Sequence, residues 1–323
     1  MNNEFKSSFG KDLASMIEYK VAIGGSKTTY MERAMKFDAF CSENYPLTDV
    51  LSEPIVLHWI KEIYEKQMSS VHYMITFARI FGRYQQSIGK NAFVIHESFS
   101  TGRSVFIPYI FSDEELTALF REIDNQNSKR RFLQLQMSTY FRLTYTCGLR
   151  PLEGRTLLRK DVDMSTCEIR IVKSKGHRSR TIVMSEDMAV LMRQYIYARD
   201  IKYPDNVYLF PAPKGGPYTA QAMQVRFRRA FEQSVPDIDN ELLPSVRVYD
   251  LRHRFATKVL HNWLDEGIDI NSRLPYLQTY MGHKDLNSTI YYIHLLPENL
   301  VKSSGINWEK MNSLLPEVEL WEK

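Results

Sequence analysis

The chain has 323 residues, 44% of them hydrophobic and 25% charged, with a net charge of +4. That length exceeds one ordinary core and predicts two domains of a globular protein, while so small a charge excess identifies no polyanionic partner by itself. Cys41, Cys147 and Cys167 have no CxxC spacing, and no apolar run approaches eighteen residues. The expectation is therefore a reduced cytoplasmic protein, with no disulfide framework, zinc site, secretion signal or membrane span.

The elements follow in chain order. Residues up to about 90 read as helices, with apolar stripes over Thr29–Phe40, Glu53–Tyr64 and Ser69–Tyr84 at helical spacing. These predict a small helical N-terminal domain, residues 1–90. Gly89, Gly102, Pro108 and several serines then interrupt any period, so 91–110 reads as a linker. Ser112 with Glu115 forms a capping box that opens the second domain, 111–299. Arg131–Thr146 is a long helix, ended by Gly148 as a left-handed C-cap, and Pro151 suits the first turn of the next helix. Residues 168–172 and 180–184 read as two strands joined by a basic turn. Further helices are expected from Ser185 to about Arg199, and over Thr219–Gln233, Asp250–Leu264, Leu274–Met281 and Asn287–Ile293. Residues 300–323 form a tail whose apolar positions would dock on a neighbouring protomer or pack on their own domain. The fold class is mainly α with a small antiparallel sheet.

Four segments in the second domain carry residues suited to phosphate chemistry. Arg150 lies between a glycine-ended helix and a proline-started one, beside a helix N-terminus that favours an anion. Its guanidinium can grip two phosphate oxygens, and the plainer reading is a salt bridge to Glu153. Lys175 sits on the turn between the strands, next to Gly176, with Lys173 and Arg178 as competitors for the same role. A lysine there is either solvated or a proton donor to a leaving oxygen. Tyr249 and Arg252 fall three residues apart on one helical face, and His253 reads as a core or supporting histidine. His283 follows Gly282 at a helix end, and Tyr292 lies nine residues on, with Tyr291 as its rival. A phenol, with a pKa of about 10, becomes a nucleophile only when cations surround it.

In this order the segments resemble the tyrosine recombinases, or phage integrase family. That family's pattern is Gly-Leu-Arg-x-x-Glu, a hairpin lysine, His-x-x-Arg-His, then Gly-His with a tyrosine nine residues later. The corresponding residues are Arg150 with Glu153, Lys175, Tyr249 with Arg252 and His253, and His283 with Tyr292. The match covers residues 110–297, and the N-terminal helices are similar to the family's core-binding, DNA-clamping domain in composition and length. Tyr249 departs from the pattern, since a tyrosine donates a hydrogen bond but is no base near neutral pH. Residues 262–275 look like an insertion of the kind seen in integrase-like transposases.

The resemblance implies attack by Tyr292 on a DNA phosphodiester, giving a 3′-phosphotyrosyl link and a free 5′-hydroxyl. Arg150, Arg252, His283 and Tyr249 would steady the phosphate, and Lys175 would protonate the leaving oxygen. Neither metal nor cofactor is implied. The partners implied are double-stranded DNA with paired recombination sites and a homotetramer in synapsis, with accessory DNA-bending proteins assisting, in a nucleoid-associated cytoplasmic setting. Lys129, Arg130, Arg131, Lys173, Arg178, Arg226, Arg228 and Arg229 form local basic clusters that suit backbone phosphates on a clamp between the domains, or are solvated helix faces. Two other functions stay open: a type IB topoisomerase-like nicking-closing enzyme, and a catalytically silent DNA-binding relic.

Overall fold

A computed structural model describes residues 5–66, 71–99, 108–126, 130–172, 179–236 and 241–296. The chain divides into two compact units, Met1–Phe106 and Ile107–Lys323.

The first unit holds α1 (Gly10–Ala22), α2 (Lys27–Asn44), α3 (Glu53–Glu65) and α4 (Val71–Ser87). The apolar stripes of these helices meet in an aromatic core. The Phe37 ring lies 5.5 Å from Trp59 and 5.7 Å from Phe81, both edge-on. Two buried polar groups organise the surroundings. The Asp38 carboxylate accepts from the Lys6 and Ser7 backbone N–H groups and the Ser7 hydroxyl, tying the N-terminal segment to α2. The Gln85 side chain accepts from the Leu51 N–H and donates to Asp12 and the Asp49 carbonyl. Residues 91–99, expected in the linker, pack on this unit. Ala92 and Ile95 are buried in its core, the Phe93 N–H donates to the Leu51 carbonyl, and Arg79 donates to the carbonyls of Ile95, His96 and Phe99. Backbone bonds from an arginine and a loop replace the missing periodicity, which is why the sequence pattern fell silent there.

The second unit is mainly helical around a three-stranded antiparallel sheet. Its elements are α5 (Asp113–Asn125), α6 (Arg131–Thr146), α7 (Pro151–Thr156), β1 (Val162–Asp163), β2 (Glu168–Ile171), β3 (Arg180–Val183), α8 (Glu186–Lys202), α9 (Ala220–Ser234), α10 (Asp250–Asp265), α11 (Ile270–Met281) and α12 (Asn287–Ile290). The sheet order is β1-β2-β3, with Ile169 opposite Ile182. Ser112 caps α5 reciprocally with Glu115, and Ser185 and Thr219 cap α8 and α9. Gly148, at φ +58°, ends α6 as expected.

Three differences bear on the site. The short strand β1 was not anticipated. Helix α11 begins at Ile270, four residues before the expected start, so residues 262–275 are the end of α10, a turn and the opening of α11. Pro275 lies inside α11 and gives up one backbone bond there. Tyr292 is not in a helix: α12 stops at Ile290, and Tyr292 sits in the turn before a 3-10 segment, Ile293–Leu295. Among the described residues no helix is long and apolar enough to cross a membrane.

Candidate active site

The site assembles where four helix ends converge. The end of α6 delivers Gly148 and, two residues on, Arg150, which is the N-cap of α7. The first turn of α10 delivers Arg252, the end of α11 delivers His283, and the turn after α12 delivers Tyr292.

Arg252 is the centre. Its side chain is fully buried, and it donates to the Gly148 carbonyl at 2.5 Å, the Met281 carbonyl at 2.7 Å and His283 Nε2 at 3.0 Å. Each helix end has carbonyls without intrahelical partners, so a buried guanidinium fits between two of them. Burial lowers the Arg252 pKa from its ordinary value, yet an arginine stays charged. Arg150 donates through Nη2 to the Gly282 carbonyl at 2.7 Å and through Nη1 to Glu153 at 2.8 Å. The salt bridge expected with Glu153 is thus formed, and the Arg150 side chain stays partly exposed.

His283 follows Gly282, whose φ of +64° turns the chain out of α11. Arginine only donates, so His283 Nε2 accepts from Arg252, and its Nδ1 donates to the buried hydroxyl of Thr289 at 2.8 Å. Burial, with Arg252 and Arg150 nearby, lowers the His283 pKa to about 3, so the imidazole is neutral at pH 7.

Tyr292 is 2% exposed and Tyr291 is 38% exposed. The Tyr292 ring stacks on His283 at 5.8 Å and 17°. Burial raises its pKa, and Arg252 and Arg150 work against that rise. His253 lies under the rings of Tyr249 (5.0 Å), Tyr292 (5.6 Å) and Tyr291 (6.3 Å). Its Nδ1 is buried without a hydrogen-bond partner, and burial, with Arg247 and Arg252, lowers its pKa to about 4.

Arg150, Glu153, Tyr249, Arg252, His253, His283 and Tyr292 are thus brought together. Lys175, Lys173, Arg178 and Lys129 lie outside the described residues. Arg130 and Arg131 are exposed at the start of α6, whose 16 residues make it about 24 Å long, with Arg150 beyond its far end. On α9, Arg226 packs over the Tyr218 ring and Arg228 pairs with Glu232 at 2.7 Å, while Arg229 is exposed. Sequence reasoning missed Thr289 and Arg180. Arg180 shares the inward face of β3 with buried Ile182, so strand alternation carried a signal for it.

Two guanidinium groups, an imidazole and a phenol lie together, a set of groups chemically suited to holding a phosphate. Residues 110–299 match the phage integrase family model, and the chain belongs to that family, the tyrosine recombinases of site-specific recombination. Two Sinorhizobium fredii proteins with integrase/recombinase names are similar to it. One, y4rB, is 25% identical over 90% of this chain and 94% of its own length. For the other, y4rE, identity is 27% and the match spans only 63% of the relative. Tyrosine recombinase XerC of Staphylococcus saprophyticus is 24% identical over 85% of this chain and 88% of its own. Among solved structures, the Tn1549 transposon integrase in complex with transposon right end DNA has the same fold. Its TM-score is 0.66 at 17% identity, covering 94% of this chain and 99% of that one. XerH recombinase bound to palindromic difH substrate gives a TM-score of 0.61 at 17% identity, covering 96% and 91%.

Proposed function

We propose that the protein cuts and rejoins double-stranded DNA through a 3′-phosphotyrosyl intermediate, moving a mobile element by integration, excision or transposition. The carrying observation is that Arg252 holds the end of α6, the end of α11 and His283 in one unit against which Tyr292 is stacked. The mobile-element reading is supported by the integrase names of two relatives and by the Tn1549 transposon integrase as a structural neighbour.

In this scheme Tyr292 Oη attacks phosphorus, the P–O5′ bond breaks and the 5′ oxygen takes a proton from Lys175. The phenol loses its own proton to solvent, and Arg150 and Arg252 favour the resulting phenolate. The same two cations stabilise the charge that develops on the non-bridging oxygens. His283 is neutral before DNA arrives; a bound phosphate anion raises its proton affinity and lets it donate. Tyr249 donates a phenolic hydrogen bond in place of the family's histidine. His253 is too weak a base at neutral pH to hold the tyrosine proton, and it acts as a packing partner for the three phenols. Reattack by a 5′-hydroxyl of a second duplex reverses the chemistry without ATP, and exchange takes place in a homotetramer on paired sites, with DNA-bending proteins assisting. The N-terminal helical unit grips the duplex, and Arg130, Arg131, Arg226, Arg228 and Arg229 contact backbone phosphates.

The test is a nicked duplex carrying the DNA that flanks the gene. Wild type and Tyr291→Phe should form an SDS-resistant adduct that maps to Tyr292. Tyr292→Phe should bind the duplex and form none; an adduct from that variant would sink the assignment. Relaxed plasmid without recombinant products would point to a nicking-closing enzyme instead.

A further inference from the structure

Behind Arg150 lies a second buried cation that the scheme above does not use. Arg180, the first residue of β3, has a side chain that is 6% exposed. Its Nη1 donates to Glu153 Oε1 at 2.8 Å and its Nη2 to Oε2 at 2.7 Å. The same carboxylate accepts from the Arg150 N–H at 2.9 Å and from Arg150 Nη1 at 2.8 Å. The guanidinium also lies close against the turn that carries His283: a Cβ added to Gly282 would lie 3.0 Å from Arg180 Nη1.

One carboxylate thus serves two arginines, and the three groups together keep one positive charge. Arg180 takes the forked geometry, both oxygens at once, which is the stronger arrangement. Arg150 is left with a single side-chain contact to the acid. Without Arg180, Glu153 would be a buried carboxylate facing Arg150 alone. It would turn to grip Arg150 with both oxygens and cancel its charge. Buried ion pairs contribute little net stability, so stability alone is a poor account of the arrangement. The three ionised groups persist through the working pH range, because the two arginines outweigh burial and hold the Glu153 pKa at about 2.

We infer that Arg180 is a positioning residue: it occupies Glu153 so that the charge of Arg150 stays available for the scissile phosphate. This rests on the recombinase reading above. It predicts that removing Arg180 imitates quenching of Arg150, and that removing Glu153 as well undoes the damage.

The experiment measures the rate of adduct formation on a nicked duplex that wild-type protein binds in a gel shift. It uses two versions, one with the normal phosphodiester and one with a methylphosphonate, which carries no charge at the scissile position. Arg180→Gln should slow the phosphodiester reaction about 10- to 100-fold, as expected for misplacement of a catalytic group. On methylphosphonate the loss should shrink to within about 3-fold, as it should for an Arg150→Ala control. Arg180→Gln combined with Glu153→Gln should recover most of the rate on phosphodiester. Arg180→Lys, which keeps the buried charge, is the second variant if the glutamine does not fold, and its loss should likewise be larger on phosphodiester than on methylphosphonate. Equal losses on the two substrates, or a double variant slower than Arg180→Gln, would overturn the assignment of Arg180. Failure of Arg150→Ala to recover on methylphosphonate would overturn it as well, since no charge would then need protecting. A wild-type protein that binds the duplex and forms no adduct on either substrate would instead bring down the recombinase reading itself.

Discussion

Two imidazoles in the site are held neutral by their surroundings, and this makes the second unit sensitive to acid. His283 is lowered to about 3 and His253 to about 4, each by burial first and neighbouring arginines second. Both values lie below the ordinary 6.5, so the fold favours the unprotonated forms. The stability this contributes is fully present above pH 6.5 and is lost as pH falls toward 4 and then 3. The slope is at most about 1.4 kcal/mol per pH unit for each histidine, because each binds one more proton in the unfolded chain. Glu153, held at about 2 from an ordinary 4.5, adds a loss of the same sign below pH 4.5. Thermal melts between pH 7 and 4.5 should show the melting temperature falling with acid. In a His253→Phe variant, which keeps the ring stack and removes one titrating group, the fall should be about half as steep; an unchanged slope would contradict the buried neutral assignment.

At the scale of elements, the end of α6 is the part that cannot be altered quietly. Gly148 adopts φ +58°, and a Cβ there would meet Phe255 Cδ1 at 2.5 Å and Met281 Sδ at 3.1 Å. Its carbonyl is one of the three acceptors of Arg252. Gly148→Ala should therefore cost about 1–3 kcal/mol in a denaturant titration, from strain and overpacking. It should also slow adduct formation, because the displaced carbonyl frees Arg252 to move. Gly216→Ala provides the contrast: no atom lies within 4 Å of its added Cβ, and its φ is not in the left-handed region. That change should stay within about 0.5 kcal/mol of wild type and leave the adduct rate alone.

For the whole molecule, the relevant fact is that the two units bury separate cores. The first is built on Phe9, Phe37, Trp59, Phe77 and Phe81, and the second on Tyr140, Phe141, Tyr195, Phe210 and Phe227. A chain of residues 107–323 alone should then unfold in one cooperative transition, seen by far-UV circular dichroism with increasing urea. A broad, non-cooperative loss of signal would mean that the second unit depends on the first. With a net charge of only +4, the proposed grip on DNA must come from local clusters, and the protein is not a polycation.

Much of this was legible in the sequence, for a reason that has to do with range. Helix caps are interactions across three or four residues, so Ser112 with Glu115, Gly148 and Ser185 announced the helix ends that the structure bears out. The order and spacing of Arg150, Tyr249, Arg252, His283 and Tyr292 were visible for the same reason, since each stands beside its own local signal. What the sequence alone determined is therefore the family and the helical class, together with a short list of candidate site residues. Tertiary structure decided the pairings. Arg252 reaches Gly148 across 104 positions, and Arg180 reaches Glu153 across 27. The side of His283 that carries the proton follows from Arg252, 31 positions away. No local pattern encodes such contacts, because they exist only once several helix ends bring their unpaired carbonyls and charges into one water-poor place.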